Sequence, residues 1–228
     1  VCGALCESAC RRGSLDKPVA IRALKRFVCE RMGPEAQHAV RGTFISFLEN
    51  AAAGRDVSTC SGREELLPLL QSLMRRDIPK VSGKSVGIIG SGPAGLAAAH
   101  DLALLGFDVT MYEMEPVLAG MLIMGIPQYR LSREVIQAEV NVITELGVKA
   151  VTNCRVGEDV SFSDLRQRHD AVVVAVGAKS SRRLPLSGID AEGVIGGVEF
   201  LREIAKGHPV SLGQRVVVIG GGNVAFDV

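Results

Sequence analysis

The sequence predicts an α/β fold preceded by a helical segment, and three observations carry that expectation. Apolar runs of strand length (Val86 to Ile89, Val109 to Tyr112, Ala171 to Val176, Arg215 to Ile219) are separated by helical stretches, the alternation that builds a parallel sheet. Two glycine clusters, at 90–95 and 220–225, each follow directly on such a run. Ahead of residue 80 the apolar periodicity is helical instead.

In chain order, Ile21, Leu24, Val28 and Met32 recur at three- and four-residue steps, and Val40, Phe44, Phe47 and Leu48 do so again, as on one helical face. Gly33-Pro34 ends the first of these helices and opens the next. The polar stretch Gly54 to Thr59 interrupts, and Leu66 to Met74 reads as a third helix. Pro79 to Lys84 is the natural linker into the first strand, so residues 1–80 form a helical domain.

Val86 to Glu113 reads as one unit. An apolar strand ends in Gly90-Ser91-Gly92-Pro93-Ala94-Gly95, an Ala/Leu helix follows, and a second strand ends in Glu113, 23 positions after Gly90. This is the G-x-G-x-x-G dinucleotide fingerprint of a Rossmann-like fold in its required context. Gly90 turns the chain off the strand, Gly92 has no Cβ to block a pyrophosphate, and Gly95 lets the helix approach the sheet. The helix points free N–H groups at the phosphates, with Pro93 and Ala94 in its first turn. Glu113 can accept the hydroxyls of an adenosine ribose; this suits FAD or NAD and repels the extra phosphate of NADP. A structural strand-to-helix turn is the competing reading, and the presence of strand, helix, second strand and acid together favours a bound dinucleotide.

Beyond Glu113, Gly120, Gly125 and Pro127 mark a long loop, of the kind that touches ligands at the carboxyl ends of parallel strands. An amphipathic helix from Ser132 to Leu146, a strand from Lys149 to Asn153 and a short helix near Ser163 to Arg168 follow. Ala171 to Val176 reads as a parallel strand buried on both faces, Ala178 to Ser187 as a polar, basic loop, Val198 to Ala205 as a helix and Arg215 to Ile219 as another buried strand. That run feeds Gly220-Gly221-Gly222-Asn223-Val224-Ala225, a second fingerprint, so two dinucleotides are expected. The FAD-type domain spans 81–186, and 187–228 opens a second nucleotide domain.

The 228 residues are 47% hydrophobic and 22% charged, with a net charge of +1. Nothing there calls for nucleic acid or an anionic membrane. No apolar run approaches the roughly 18 residues that span a bilayer, so no membrane partner is expected. The chain begins at Val1 without methionine and stops just after a glycine cluster, and it reads as a piece of a longer protein. The six cysteines, at 2, 6, 10, 29, 60 and 154, contain no C-x-x-C pair, which argues against a redox dithiol.

The whole chain resembles the small subunit of bacterial glutamate synthase and its relatives, iron-sulfur flavoproteins that carry electrons from NAD(P)H. The residues that carry the resemblance are Cys2-Gly-Ala-Leu-Cys6-Glu-Ser-Ala-Cys10-Arg-Arg-Gly13, Pro18-Val-Ala-Ile-Arg22, Gly90-Ser-Gly-Pro-Ala-Gly-Leu96, Gly125-Ile-Pro-Gln-Tyr-Arg-Leu131, Asp170-Ala-Val-Val-Val-Ala-Val-Gly177 and Gly220-Gly-Gly-Asn223. It implies FAD at the first fingerprint, NAD(P)H at the second (Gly220, Gly222, Asn223, Val224, Ala225), Gly177 near the FAD, and Gly120, Met121 and Arg130 in a loop that wraps the flavin. It also implies [4Fe-4S] clusters in the helical domain and a cytoplasmic protein.

Cys2, Cys6 and Cys10 have C-x3-C-x3-C spacing, which a helix would place on one face, and thiolates suit iron-sulfur clusters. Three cysteines cannot complete a four-cysteine cluster; in relatives further cysteines lie upstream. Zinc and inert buried thiols are the competing readings. Cys29 and Cys154 read as core thiols, and Cys60 is undecided. Two positions depart from the relatives' pattern: Lys25 stands where some place a carboxylate or amide ligand, and Ala119 stands where they often have glycine, a change tolerated if φ there is negative.

The expected activity is electron input: NAD(P)H delivers a hydride to FAD, which converts it to single electrons for the clusters and for a catalytic large subunit or a ferredoxin-like acceptor. A diaphorase-like subunit serving another oxidoreductase is the alternative, and a redox-inactive cofactor-binding scaffold the alternative of another class. No catalytic acid or base is expected; Arg130, His100 and Glu134 read as structural or solvated rather than catalytic.

Overall fold

Strand β1 (Ser85–Ile89) turns Val86 and Ile88 to one side of a sheet and Ile89 to the other, the period-2 consequence of an extended backbone. The computed structural model describes residues 3–33, 81 and 83–228. The chain divides into two units, Val1–Pro79 and Lys80–Val228.

In the first unit, α1 (Leu5–Ser8) is a single turn, entered through Ala4 at φ 53°. A 3-10 turn, Arg11–Ser14, and α2 (Ile21–Met32) follow. The N-cap residue of α2, Ala20, has no side-chain acceptor; the Glu7 carboxylate supplies one, accepting the Arg22 N–H at 2.7 Å. The helix stops at Gly33, held extended (φ −72°, ψ 173°) as the following Pro34 requires. The helices expected around Val40 to Leu48 and from Leu66 to Met74 lie outside the described residues, as do Cys2 and Cys60.

In the second unit β1 runs into α3 (Pro93–Leu104) and then β2 (Asp108–Tyr112). A one-turn helix α4 (Met121–Met124) precedes α5 (Arg133–Glu145) and β3 (Lys149–Val151), and α6 (Phe162–Arg168) leads into β4 (Ala171–Val174). Helices α7 (Gly197–Ala205) and α8 (Asn223–Asp227) follow. The strands are parallel in the order β3-β2-β1-β4. One face buries Val86, Ile88, Val109 and Met111 with Leu96 and Ala99 of α3 and Ile136 and Val140 of α5. The other packs Ile89 and Tyr112 against Leu165 of α6, with Cys154, Val156, Val160 and Val172 beside them. Gly87 also faces that side: the His169 ring stands 2.7 Å from where its Cβ would be, and Tyr112 Oη lies 2.9 Å from His169 Nε2. Ser132 caps α5, its Oγ accepting the Val135 N–H at 3.4 Å, and Ser161 with Asp164 forms a capping box on α6.

Three sequence expectations are corrected. The run Ala171 to Val176 is not buried on both faces: among the described residues β4 pairs with β1 alone, and Val174 and Val176 are 61% and 54% exposed. Arg215 to Ile219 is not a buried strand, because among the described residues nothing pairs with it and Val217 is 84% exposed; an extended run buries its side chains only when other strands receive it. Cys6 and Cys10 do not share a helical face, since α1 ends at Ser8 and Cys10 is extended (φ −69°, ψ 120°).

Candidate functional site

The first glycine turn is built by close approach. Gly90 sits at φ 97°, and a Cβ there would run into the Ala175 carbonyl oxygen; one on Gly95 would strike the Gly90 carbonyl oxygen. Hydrogen bonds fix the turn, Gly90 N–H to Tyr112 O and Ala175 N–H to Ile89 O, both 2.8 Å. A Cβ on Gly92 would meet nothing within 4 Å, so open space faces the start of α3. Gly92 is the N-cap of that twelve-residue helix and offers no side-chain acceptor, which leaves first-turn N–H groups at Ala94 and Gly95 free for an anion.

Glu113, at the end of β2, is 1% exposed and surrounded by donors. Ser91 gives its N–H and its Oγ–H to Oε2 at 2.9 and 2.6 Å; the Glu115 N–H and Lys179 Nζ reach Oε1 at 3.0 and 3.2 Å. Burial pushes this carboxyl up, but the Ser91 and Glu115 hydrogen bonds and the Lys179 charge outweigh it and hold the group below its ordinary value. Glu115, also buried, pairs with Arg202 at 2.6 Å and lies 3.6 Å from Lys206 and 3.9 Å from Lys179. Two carboxylates and three cations thus close this end of the site. Sequence reading singled out Glu113 alone of the five. Glu115 shares its strand-end parity and was legible on that ground; the three cations come from a basic loop and a helix more than 60 positions away, and no local pattern marks them.

The loop after β2 returns to the glycine turn. The Ala119 N–H donates to both the Ser91 carbonyl and Ser91 Oγ at 3.1 Å. A Cβ on Gly120, at φ 51°, would stand 2.9 Å from Gly92 Cα, so only glycine fits there without moving the turn. Ala119 is fully buried at φ 82°, the opposite of the negative φ its tolerance presumed. Met121 opens α4, and further along the loop Arg130 forms an ion pair with Asp227 of α8. Gly177 is exposed at φ 65°, two residues beyond Ala175.

At the second glycine cluster the turn and helix are present without the strand. Gly220 is at φ 138°, Gly222 is the N-cap of α8, and Gly221 and Gly222 have nothing within 4 Å of a Cβ position. Asn223 and Val224 are exposed and Ala225 half-buried. Val224 packs on α7, its Cγ1 lying 2.9 Å from the Cβ position of Gly197.

Among the cysteines, Cys6 is exposed and Cys10 half-buried. Backbone N–H groups of Val19, Arg12 and Gly13 hold the Cys10 thiol below its ordinary value. Among the described residues no three Cys, His, Asp or Glu side chains converge as a metal site. Cys154 is a half-buried thiol that desolvation pushes up, whereas Cys29 is exposed; the core role expected of it is corrected, because it projects from a solvated part of α2. His100 pairs with Asp101 at 2.8 Å on the surface, and Glu134, at the start of α5, is exposed.

These glycine turns have counterparts in known proteins. Residues 84–228 match the family described as pyridine nucleotide-disulphide oxidoreductase. The chain is 42% identical over its full length to the NADP(+)-dependent formate dehydrogenase subunit beta of Moorella thermoacetica, of which it spans 31%. It is 31% identical, again over its full length, to glutamate synthase [NADH] of Schizosaccharomyces pombe, of which it spans 10%. The solved structure of Mycobacterium tuberculosis FprA in complex with NADPH superposes on 53% of the chain with a TM-score of 0.50 and 32% identity, that region being 28% of FprA. Among the described residues no helix is long and apolar enough to cross a membrane. With the glycine turn, the parallel sheet and the family match agreeing over the same residues, the chain belongs to the pyridine nucleotide-disulphide oxidoreductase family.

Proposed function

We propose that this chain is part of an electron-input subunit, in which NAD(P)H at Gly220 to Ala225 reduces FAD held between Gly90 and Glu113. The observation that carries the reading is the first turn: Gly92 faces open space at the start of a twelve-residue helix while a buried, ionised Glu113 stands at the end of the next strand. A pyrophosphate fits the first feature and a ribose hydroxyl the second. Ala94 and Gly95 would hold the phosphates, Glu113 the ribose, and Gly120, Met121, Arg130 and Gly177 would border the flavin. Bound FAD supplies the exchange between a two-electron hydride donor and one-electron acceptors. The chain's own residues orient the two nucleotides and need no acid or base of their own.

The electron exit belongs to the same proposal. Residues 1–80 form the cluster domain, 81–186 the FAD domain and 187–228 the start of the NAD(P)H domain. Cys2, Cys6 and Cys10 are [4Fe-4S] ligands; the backbone of Val19 and Arg12, which holds the Cys10 thiol below its ordinary value, favours a thiolate there. Inert thiols fit that setting less well, and zinc would more typically use C-x-x-C pairs, which the sequence lacks. The acceptor is a partner subunit or a ferredoxin-like protein. Relatives named for formate dehydrogenase and for a glutamate synthase small chain, at 42% and 40% identity, are compatible with either kind of partner.

The test is anaerobic purification of the full-length protein. Bound flavin that NADPH or NADH bleaches, with a reducible cluster signal in electron paramagnetic resonance, is the expected result. A colourless protein overturns the redox reading and leaves the scaffold; flavin without a cluster signal overturns only the assignment of the cysteines.

A further inference from the structure

One loop touches the first glycine turn and the helix that follows the second. At its start, the Ala119 N–H is bonded to Ser91 and Gly120 is pressed against Gly92. Its middle is braced internally: Arg133 Nη1 donates to the Leu122 carbonyl at 3.1 Å, and the Arg130 and Leu131 N–H groups donate to the Pro127 carbonyl at 3.0 and 3.2 Å. Near its end, Arg130 Nε pairs with Asp227 Oδ1. The Asp227 side chain is 9% exposed and that of Arg130 38%. Asp227 is the last residue of α8, which starts from Gly222, and the Phe226 N–H donates to the Gly222 carbonyl at 3.2 Å. The first turn and the end of α8 are thus joined through a braced loop and one ion pair.

We propose that the Arg130–Asp227 pair couples the two nucleotide sites, Asp227 acting as a positioning residue that sets the flavin-side loop according to what the second site holds. The inference rests on the two-site reading above. A half-buried ion pair contributes little to stability, because desolvation offsets most of its attraction. What this pair does provide is a direct charged connection between the loop and α8, beside the packing of both α4 and α8 on α7. Coupling of this kind is reciprocal in binding and is typically worth about fivefold to 150-fold in affinity.

The test uses the full-length, FAD-loaded protein. Flavin absorbance is followed as NADP+ is added, and NADPH oxidation by a dye is measured for wild type, Asp227→Asn, Arg130→Gln and the double variant. In wild type NADP+ perturbs the flavin spectrum. The proposal expects Asp227→Asn to retain flavin, to change the KM for NADPH less than about twofold, to lower kcat at least about fivefold, and to abolish the perturbation. Arg130→Gln lowers kcat too, and the double variant is no worse than the more impaired single one. Asp227→Asn with wild-type kcat and an intact perturbation overturns the proposal, as do losses that multiply in the double variant. If Asp227→Asn does not fold, Asp227→Glu takes its place: a pair kept with a longer arm leaves the perturbation present, and its loss together with flavin overturns coupling in favour of a structural staple. Wild-type protein without flavin, or with flavin that NADPH does not bleach, overturns the two-site reading itself, a result visible before any variant is made.

Discussion

At the scale of single residues, Glu113 shows how burial and bonding contend. Its ordinary ionisation lies near 4.3, and the Ser91, Glu115 and Lys179 contacts hold it lower in the fold. The stability it contributes is therefore fully present above that ordinary value and is lost as pH falls through the lower folded one. Glu113→Gln places an amide N–H₂ among donors, leaving at least one buried donor unmade at about 1–3 kcal/mol. We expect denaturant titrations to show that loss at pH 7 and a shallower fall in stability below about pH 4; an unchanged acid profile would sink the assignment. Ala119 presents a closer balance. Its left-handed backbone costs about 1–2 kcal/mol, while its buried methyl contributes about 0.8 kcal/mol, so Ala119→Gly leaves the unfolding free energy from denaturant titration within about 1 kcal/mol of wild type. Without that backbone strain, removing a buried methyl and adding glycine's chain entropy would be plainly destabilising.

At the scale of elements, the turn from β1 to α3 was legible because its demands are local. Gly95 must be glycine, since a Cβ there meets backbone rather than a side chain that can swing away. Gly95→Ala is expected to cost about 3 kcal/mol, the upper range for overpacking, and to reduce flavin retention in the purified protein; a fully flavinated, wild-type-stable variant would show that the helix can retreat from the sheet. Helix α5 was equally legible, its start marked by Ser132. Elements whose placement depends on distant partners were not. The apolar run of β4 and the run from Arg215 to Ile219 have the composition of buried strands, but composition does not say whether a neighbouring strand is in place. The cysteine spacing fitted a helix until Ala4 entered the left-handed region and α1 closed after one turn. Lys179, Arg202 and Lys206 meet Glu115 only through the tertiary fold, so the cationic half of that cluster left no trace in local sequence.

At the scale of the whole molecule, protection should follow the sheet outward from its centre. β1 and β2 each have a strand on both sides, and their apolar side chains fill both faces. The amides of Val86, Ile88, Val109 and Met111 therefore open only when the Lys80–Val228 unit unfolds, whereas β4 lies at an edge among the described residues. The segment from Val216 to Ile219 has no strand partner among the described residues and is exposed at every position. Hydrogen exchange of the 228-residue chain should rank these segments in that order, slowest at β1 and β2 and fastest at Val216 to Ile219, because exchange free energies run from near zero in unpaired backbone to the global value in the core. The rank carries functional weight as well. A nucleotide that organises the second glycine turn adds a binding free energy to the folded side of the local equilibrium there, so NADP+ should slow exchange near Gly220 to Asp227 far more than in β1. Through Arg130, the same addition should slow exchange in the loop from Ala119 to Leu131, although that loop lies about a hundred residues earlier in the chain. Protection confined to 220–227 would leave two independent sites; protection appearing in both segments at one NADP+ concentration is what a mechanical tie between them requires.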